Sequence, residues 1–308
     1  MIIPPFLDEL RVPVAMIGAI ISLGPIFALL SRIPVGMAYA EDRAPLLIAL
    51  SVLTMGIANF FYSMVVDSLT FALIHAVSGF AYGAATTLFL AFYVDSLGPE
   101  ENRSHAMGYY VGSLAVGYAT GNFLAGLIAD QVGYGTTFRI AALLSLVPIA
   151  LLWFLRWPDG QGTVRDKKKL SSQSTFTDSL KAIFEPGLAA IAVVSLFLNL
   201  LHQIGGIFIS LYGLAVGLSL TQIGVIRASY ALCNAVARPL CGHGVHKFGH
   251  RRLSYAGLPI QSALMMLVPL FTGFGTILAV YVSAGLLRAV AIVANAAALV
   301  QDVDESRV

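Results

Sequence analysis

The chain has 308 residues, of which 58% are hydrophobic and 11% charged, and its mean hydropathy is +0.83. A soluble domain carries about 25% charged residues, so this composition excludes a soluble enzyme, a secreted disulfide-rich domain, a disordered chain and a coiled coil. The net charge of +2, from 18 basic and 16 acidic residues, gives no basic surface for a nucleic acid. The composition therefore predicts an integral membrane protein.

Long uncharged runs mark the segments that can cross a bilayer, because a spanning helix needs about 20 apolar residues. Charged residues separate seven such runs: 12–31, 44–66, 68–94, 104–129, 140–155, 186–226 and 253–287. The fifth run is short, so we expect its helix to begin near Thr136. The last two runs are long enough for two helices each and divide at the turn-like stretches 217–221 and 273–275.

These divisions predict an all-α polytopic bundle with about nine transmembrane helices. The first helix is expected to end at Ser31, before Arg32, and the helix that follows the turn at 217–221 is expected to end near Leu240. The last helix is expected to run through Arg288 to about Val300. Strands of a membrane β-barrel would alternate apolar and polar residues over about ten positions, and this pattern is absent from the sequence.

The basic residues orient the predicted helices, because cytoplasmic loops carry the excess of Lys and Arg. Arg11 and Arg139 fall on one side of the predicted bilayer, and Arg227 and Arg288 fall inside helices. The other 14 basic residues share the opposite side: Arg32, Arg43, Arg103, Arg156, Arg165, Lys167, Lys168, Lys169, Lys181, Arg238, Lys247, Arg251, Arg252 and Arg307. The sequence therefore predicts an outer N-terminus and a cytoplasmic C-terminus, in the cell (inner) membrane.

One long polar segment, 157–185, separates two groups of predicted helices. It contains Lys167, Lys168 and Lys169 and is rich in Ser and Thr, a composition typical of a linker. The predicted organisation is an N-terminal transmembrane half of five helices, 1–156, a cytoplasmic linker, 157–185, and a C-terminal half of four helices, 186–308.

A short pattern recurs in the two halves and predicts an internal repeat. In the segment 31–43, Ser-Arg-Ile-Pro-Val-Gly is followed by Asp-Arg. In the segment 237–252, Ala-Arg-Pro-Leu-Cys-Gly is followed by His-Lys-Phe-Gly-His-Arg-Arg. Both segments are predicted to be cytoplasmic loops between two closely linked helices.

The second segment resembles the loop signature of the major facilitator superfamily, which is Gly, three residues, Asp, a base, one residue, Gly and further bases. The match consists of Gly242, Lys247, Gly249 and Arg251, with His246 where the family has Asp. The resemblance implies a gating loop that locks the inner face. Its residues here are Arg32, Asp42, Arg43, Arg238, Gly242, His246, Lys247, Gly249 and Arg251. Because an unperturbed histidine titrates near pH 6.5, His246 is expected either to make the lock pH-dependent or to be a solvated loop residue.

Other features of the same family are present in altered form. The first-half segment places its Asp-Arg pair two residues late and lacks the second Gly. Residues 121–126 resemble the Gly-Pro-x-x-Gly-Gly motif of the family's fifth helix, and His75 precedes Gly79 and Gly83 where the fourth helix often has Arg. We expect close helix packing at the glycines of the run 104–129, which are Gly108, Gly112, Gly117, Gly121 and Gly126.

The resemblance covers the whole chain and implies a fold of two parallel six-helix repeats. The signature loop follows the first predicted helix here, whereas the family places it after the second, so the chain is expected to lack family helix one. It is also expected to lack helices eleven and twelve. The start of the chain has no basic region before a hydrophobic one, so no secretory signal peptide is expected.

Polar side chains recur at helical spacing within four predicted helices, which indicates a shared aqueous cavity. The sixth predicted helix carries Ser195, Asn199, His202 and Gln203, and the seventh carries Arg227, Tyr230 and Asn234. The ninth carries Tyr281, Arg288 and Asn295, and the third carries His75, Ser78, Tyr82 and Thr86. The substrate-binding candidates among them are Arg288, Arg227, Asn199, His202, Gln203, Tyr230, Asn234, Asn295 and Tyr82.

Arg288 is the strongest of these candidates because it is about 12 residues, roughly 18 Å, from either end of its predicted helix. A side chain at this depth cannot easily reach the interface, so contact with a substrate or counter-ion is favoured. Arg227 is shallower, and snorkelling to the interface is the alternative for it. For His202 and His75, an interhelical hydrogen bond is the alternative to a proton relay.

These observations favour a secondary transporter that lies in the lipid bilayer and moves a small solute by alternating access. A proton or another ion is a candidate coupling partner. Two buried arginines favour an anionic or polar substrate, whereas the fifth-helix resemblance favours drug efflux, and both stay open. A truncated, non-transporting membrane fragment or partner-binding remnant is the alternative. No phosphate-binding loop or hydrolase motif is present, so no enzyme and no cofactor are expected. The spacing of Cys241, His243, His246 and His250 overlaps the signature loop, so no metal site is expected either.

Overall fold

The computed structural model describes residues 1–97, 103–154, 186–248 and 250–305, and all regular secondary structure within these ranges is helical. The helices are α1 (Ile3–Glu9), α2 (Val14–Ala38), α3 (Ala44–Tyr62), α4 (Ser68–Asp95), α5 (Arg103–Leu144), α6 (Leu146–Phe154), α7 (Pro186–Ala215), α8 (Leu220–Phe248), α9 (His250–Leu267) and α10 (Phe274–Glu305). A 3₁₀ turn, Val268–Leu270, follows α9.

Six segments within the described ranges are long and apolar enough to cross a membrane: Val14–Ala38, Ala44–Tyr62, Ser68–Asp95, Tyr109–Leu152, Val193–Ala215 and Phe274–Asn295. They contain seven of the nine predicted spans, because Tyr109–Leu152, at 44 residues, holds two of them. The other two predicted spans correspond to α8 and α9, and Gly257–Leu270 forms a shorter apolar helical segment. An all-α, polytopic membrane fold is therefore confirmed.

Two glycines occupy the points where the sequence predicted that one helix gives way to the next. Gly217 has φ +86° and separates α7 from α8, inside the stretch 217–221. Gly133 has φ +79° and ψ 170° and breaks α5 into two helical parts, three residues before the predicted start at Thr136. A Cβ disfavours both backbone conformations, so glycine is the natural residue at these breaks.

Two helices extend seven or eight residues beyond their predicted ends. α2 continues past Ser31 to Ala38, and α8 continues past Leu240 to Phe248. The reason is that a charge ends an apolar span without ending a helix, since Arg and Lys are good helix formers. Pro34 and Pro239 lie inside these two helices and remove one backbone donor each.

The predicted gating loops are therefore largely helical, which corrects the prediction for several residues. Arg32 lies within α2, and four of the second-half residues lie within α8: Arg238, Gly242, His246 and Lys247. Arg251 lies in the first turn of α9.

Asp42 and Arg43 do lie in a turn, 41–43, where they form an ion pair of 3.8 Å. Both side chains are 76% exposed, so the pair contributes little stability. Gly249 and the side chains of 242–256 lie outside the described residues. The expectation of a pH-dependent lock at His246 therefore stays a prediction.

The chain divides into two compact units, of which the first comprises Met1–Arg156 and Ile207–Val225. Its core contains an aromatic cluster in which Phe6 of α1 meets Phe71 of α4 and Phe138 of α5 at centroid distances of 5.8 and 5.3 Å. Tyr62 stacks on Phe71 at 4.6 Å. Burial of such rings contributes much of the packing energy of a helical core, and it anchors α1 against α4 and α5.

Close helix contacts in this unit occur at only some of its glycines. α2 and α4 approach each other at Gly79 and Gly83, where an added Cβ would lie 2.6 Å from the Cα atoms of Gly24 and Ala28 respectively. At Gly126 of α5 an added Cβ would meet the Leu220 carbonyl. Among the described residues, nothing lies within 4 Å of a Cβ built at Gly112, Gly117 or Gly121 of α5, so the expectation of close packing at these three stays a prediction.

A carboxylate on α5 caps the N-terminus of α8 in the same unit. The two Asp130 oxygens accept hydrogen bonds from the backbone N–H groups of Leu220, at 2.9 Å, and Thr221, at 2.6 Å. The first N–H groups of a helix have no partner within the helix, and a carboxylate there also interacts favourably with the helix dipole.

The second unit comprises Trp157–Gly206 and Ile226–Val308. Within it α9 packs along α10, and Gly285 of α10 lies so close to α8 that an added Cβ would be 2.7 Å from the Tyr230 carbonyl oxygen. Small residues allow this approach of helix backbones in a lipid-embedded bundle. The approach brings the polar side chains of α7, α8 and α10 together.

Candidate functional site

Arg288 lies in the middle of α10 with only 7% of its surface exposed. Its Nη1 donates a short hydrogen bond to the Leu198 carbonyl oxygen, and its Nη2 donates to Asn199 Oδ1 at 3.4 Å. Both acceptors belong to α7. The guanidinium group therefore links α10 to α7 through oxygen atoms that carry no net charge.

Two aromatic rings and a histidine lie beside this arginine. Tyr230 of α8 stacks on His202 of α7 with the ring centroids 5.4 Å apart and the planes 11° apart. The ring of Tyr281 on α10 packs edge to face against Tyr230, with the ring centroids 6.1 Å apart and the planes at 67°. The Tyr281 hydroxyl donates to the Gly205 carbonyl oxygen at 2.8 Å. These contacts form a mixed aromatic and polar surface built from three helices.

Arg227 contacts α7 at Gly206, about two helical turns beyond the Leu198 carbonyl that Arg288 contacts. Its Nη1 donates to the Gly206 carbonyl oxygen at 3.3 Å, and an added Cβ at Gly206 would lie 3.0 Å from the Arg227 Nη2. A larger residue at 206 would therefore displace the guanidinium group. The adjacent Gly205 and Gly206 together expose the α7 backbone to side chains from α8 and α10.

Two asparagines tie the same helices together on either side of Arg288. Asn234 of α8 donates to the Gly285 carbonyl oxygen at 3.3 Å and accepts a 2.8 Å hydrogen bond from Arg238. Asn295 of α10 donates to Ser195 Oγ of α7 at 2.7 Å. A hydrogen bond between helices replaces solvation that lipid cannot supply.

The structure thus brings seven of the nine predicted substrate-binding residues into one network of contacts: Arg288, Arg227, Asn199, His202, Tyr230, Asn234 and Asn295. Gln203 is exposed on α7. Tyr82 belongs to the first unit, where its hydroxyl makes a short hydrogen bond with the hydroxyl of Tyr118.

The sequence interpretation missed several partners in this network. The carbonyl acceptors of Leu198, Gly205, Gly206 and Gly285 leave no mark in a side-chain pattern, although the Gly205-Gly206 pair within a long helix was a usable signal. Arg238 was assigned to a loop, whereas it bonds to Asn234 one helical turn away. The spacing of four residues on one helix could have shown this pairing.

The network contains groups that can bind a solute. Guanidinium and amide groups donate hydrogen bonds, and the tyrosine and histidine rings offer flat apolar faces. In the part of the chain that the structure describes, no group of three or more His, Cys, Asp or Glu residues could hold a metal ion. The side chains of His243, His246 and His250 lie outside that part.

Comparisons with known proteins agree on one family of membrane transporters. The model of the Major Facilitator Superfamily matches residues 1–307. An uncharacterized MFS-type transporter of Methanocaldococcus jannaschii is 23% identical over 269 residues, which are 85% of this chain and 67% of that protein.

Solved structures show the same fold. A bacterial homologue of the human lysosomal transporter Spinster, in an inward-facing and unoccupied conformation, has a TM-score of 0.74 at 18% identity, over 96% of this chain and 70% of that one. The inward-facing, occupied form has a TM-score of 0.69 at 16% identity, over 96% and 68% of the two chains. With a family model that matches nearly every residue, this chain belongs to the major facilitator superfamily.

Proposed function

We propose that this protein is a secondary transporter that moves a small solute across the membrane by alternating access and binds it at the network around Arg288. The observation that carries the proposal is the burial of Arg288 in the middle of α10, with neutral acceptors on α7. A charge at this depth of a membrane helix is costly and usually marks a substrate or ion path. Transporters of this kind bind their solute near the bilayer midplane.

Each part of the network has a role in this proposal. Arg288 and Arg227 donate hydrogen bonds to polar groups of the solute, and Asn199 positions Arg288 through its side-chain oxygen. The stacked rings of His202 and Tyr230 contact the apolar part of the solute. Asn234 and Asn295 hold α7, α8 and α10 at the spacing that the site requires.

The direction of the chain across the membrane is part of the same proposal. The distribution of the basic residues favours a cytoplasmic linker 157–185, a cytoplasmic C-terminus and an outer N-terminus. A gradient of the solute, or of a coupling ion such as the proton, drives the movement.

A transport assay that presupposes no substrate tests the proposal. The purified protein is reconstituted into liposomes, the liposomes are incubated with a metabolite extract, and their contents are compared with those of protein-free liposomes by mass spectrometry. We expect at least one solute to accumulate with the wild-type protein. Arg288→Ala should reduce this accumulation about tenfold or more, because a hydrogen bond to a charged group contributes about 1.5–3 kcal/mol.

The matched control is Arg139→Ala, which removes an arginine from α5 that donates only to Ser63 Oγ, at 3.3 Å, among the described residues. This variant should transport like the wild type. If no solute accumulates above the protein-free level, the transporter proposal is wrong. If Arg288→Ala and the wild type transport equally, the site lies elsewhere.

A further inference from the structure

Between Pro186 and Gln301, the helices of the second half carry positive charge without any acidic residue to balance it. From Pro186 to Gln301 the sequence contains no Asp and no Glu, while Arg227, Arg238 and Arg288 all lie inside helices. The three guanidinium groups donate to the neutral oxygens of Gly206, Asn234, Leu198 and Asn199. These oxygens offset part of the cost of desolvation but none of the charge.

Carboxylates of the first half do not supply the missing charge within the membrane-spanning parts of helices that the structure describes. Asp67 precedes the first residue of α4, and Asp95 is the last residue of that helix. Asp130 lies three residues before the break at Gly133 and caps α8. Since a guanidinium group stays protonated in proteins, Arg288 keeps its charge, and no carboxylate among the described residues forms an ion pair with it.

The positive groups share one set of neighbours. Tyr230 and His202 each interact electrostatically with both Arg288 and Arg227, and Arg238 interacts with Arg288. Both arginines therefore lie close enough to the stacked pair of rings to act on it electrostatically. Arg288 bonds to Leu198, Asn199 and the Tyr230 side chain, and because a guanidinium group has five N–H groups, donors remain for a ligand.

We propose that the solute bound at this network is an organic anion, whose carboxylate or phosphate group binds the Arg288 guanidinium, with Arg227 adding to the positive potential, and whose apolar part stacks against His202 and Tyr230. The inference rests on the proposed function and specifies its substrate class. An anion binds because it supplies the negative charge that the helices lack, and a guanidinium fork fits the oxygen atoms of either acid group. A cationic drug would add a further positive charge to the same region and is disfavoured.

Four benzene derivatives of similar size and shape test the charge preference on the purified full-length chain in detergent. Benzoate and phenyl phosphate are anions, benzamide is neutral, and benzamidinium is a cation. At fixed pH and ionic strength, isothermal titration should give a dissociation constant for one or both anions that is about tenfold or more below that for benzamide. Benzamidinium should bind more weakly than benzamide. The tighter of the two anions identifies the acid group that the site prefers.

Variants assign the preference to Arg288. Arg288→Gln removes the charge while an amide can still donate to the α7 acceptors, so the advantage of the anions over benzamide should disappear. Arg288→Lys keeps the charge without the planar fork and should retain part of that advantage. Arg139→Gln is the matched control and should bind all four probes like the wild type.

Several outcomes would overturn the inference. They are an absence of binding by both anions, binding of benzamide or benzamidinium as tight as that of the anions, and an unchanged anion advantage in Arg288→Gln. The liposome assay separates this failure from failure of the proposed function. Accumulation of a neutral or cationic solute would leave the transporter intact and refute the anion class, whereas selective anion binding without any transport would refute the transporter alone.

Discussion

Backbone carbonyls of α7 accept the hydrogen bonds that fix the polar side chains of α8 and α10. Leu198 accepts from Arg288, Gly206 from Arg227, and Gly205 from Tyr281. A helical carbonyl oxygen has a second lone pair after its own helix bond is made, and the absence of a Cβ at 205 and 206 gives side chains access to it. At the scale of the residue, α7 thus acts as the acceptor surface of the site.

Tyr281→Phe tests the strength of one of these bonds without changing the packing. The Tyr281 side chain is 3% exposed, and its hydroxyl donates to the Gly205 carbonyl oxygen at 2.8 Å. We expect the free energy of unfolding to fall by about 1 kcal/mol, the usual net value of one buried hydrogen bond. Thermal unfolding in detergent, followed by intrinsic fluorescence, measures the change.

Tyr109→Phe is the control for this substitution, because Tyr109 is 80% exposed. Its hydroxyl can be solvated in both the folded and the unfolded protein, so its removal should not change stability. Its unfolding temperature should stay at the wild-type value. Equal behaviour of the two variants would mean that the Tyr281 hydroxyl bond contributes nothing to stability.

The candidate site shows which parts of a polar network a sequence can predict. Periodicity placed Arg288, Tyr281 and Asn295 on one face of a helix, because the side-chain spacing of a helix is fixed. The partners on α7 could not be predicted in the same way, since a carbonyl oxygen belongs to every residue. Which of them accepts a bond depends on the distance between two helices, and that distance is set by packing at residues such as Gly285.

Small residues set the distance between α2 and α4 at the scale of the helix. A Cβ at Gly83 would lie 2.6 Å from the Ala28 Cα, closer than real Cβ contacts allow. Lipid provides no hydrophobic force between helices, so close van der Waals packing of this kind stabilises the pair. Gly112 is, like Gly83, a glycine inside an apolar helix. A Cβ built at Gly112 has no described neighbour within 4 Å.

Alanine at these two positions should therefore have opposite effects. Gly83→Ala forces α2 and α4 apart, and overpacking of this kind costs about 1–3 kcal/mol. Gly112→Ala should stabilise α5 by about 0.5–1 kcal/mol, because alanine is the better helix former. Thermal unfolding of both variants in the same detergent measures the difference. A loss of stability at Gly112 as large as that at Gly83 would contradict the packing described for α5.

Helix boundaries were predictable where the backbone itself changes conformation. The breaks at Gly133 and Gly217 coincide with positive φ, a property that glycine signals in a sequence. The ends of α2 and α8 were not predictable from charge, because Arg32 and Arg238 continue their helices beyond the apolar run. A charge marks where a helix leaves lipid, and the helix ends only where its backbone hydrogen bonds end.

The charge distribution of the whole chain predicts its direction across the membrane. Fourteen of the 18 basic residues fall on one predicted side and two on the other, an asymmetry that orients membrane proteins with the basic side in the cytoplasm. Between Val66 and Ser172 three crossings of the bilayer are predicted, through α4 and the two parts of the segment Tyr109–Leu152. An odd number of crossings puts these two positions on opposite sides.

Cysteine labelling at the two positions tests both the orientation and the number of crossings. Cys233 and Cys241 are first replaced by alanine, and either Val66→Cys or Ser172→Cys is introduced. Val66 lies between α3 and α4 and is 84% exposed, so an impermeant maleimide should label it in intact cells. Ser172, in the basic linker 157–185, should react only after the cells are permeabilised. The reverse pattern would invert the orientation, and labelling of both from the same side would mean that one of the three crossings does not occur.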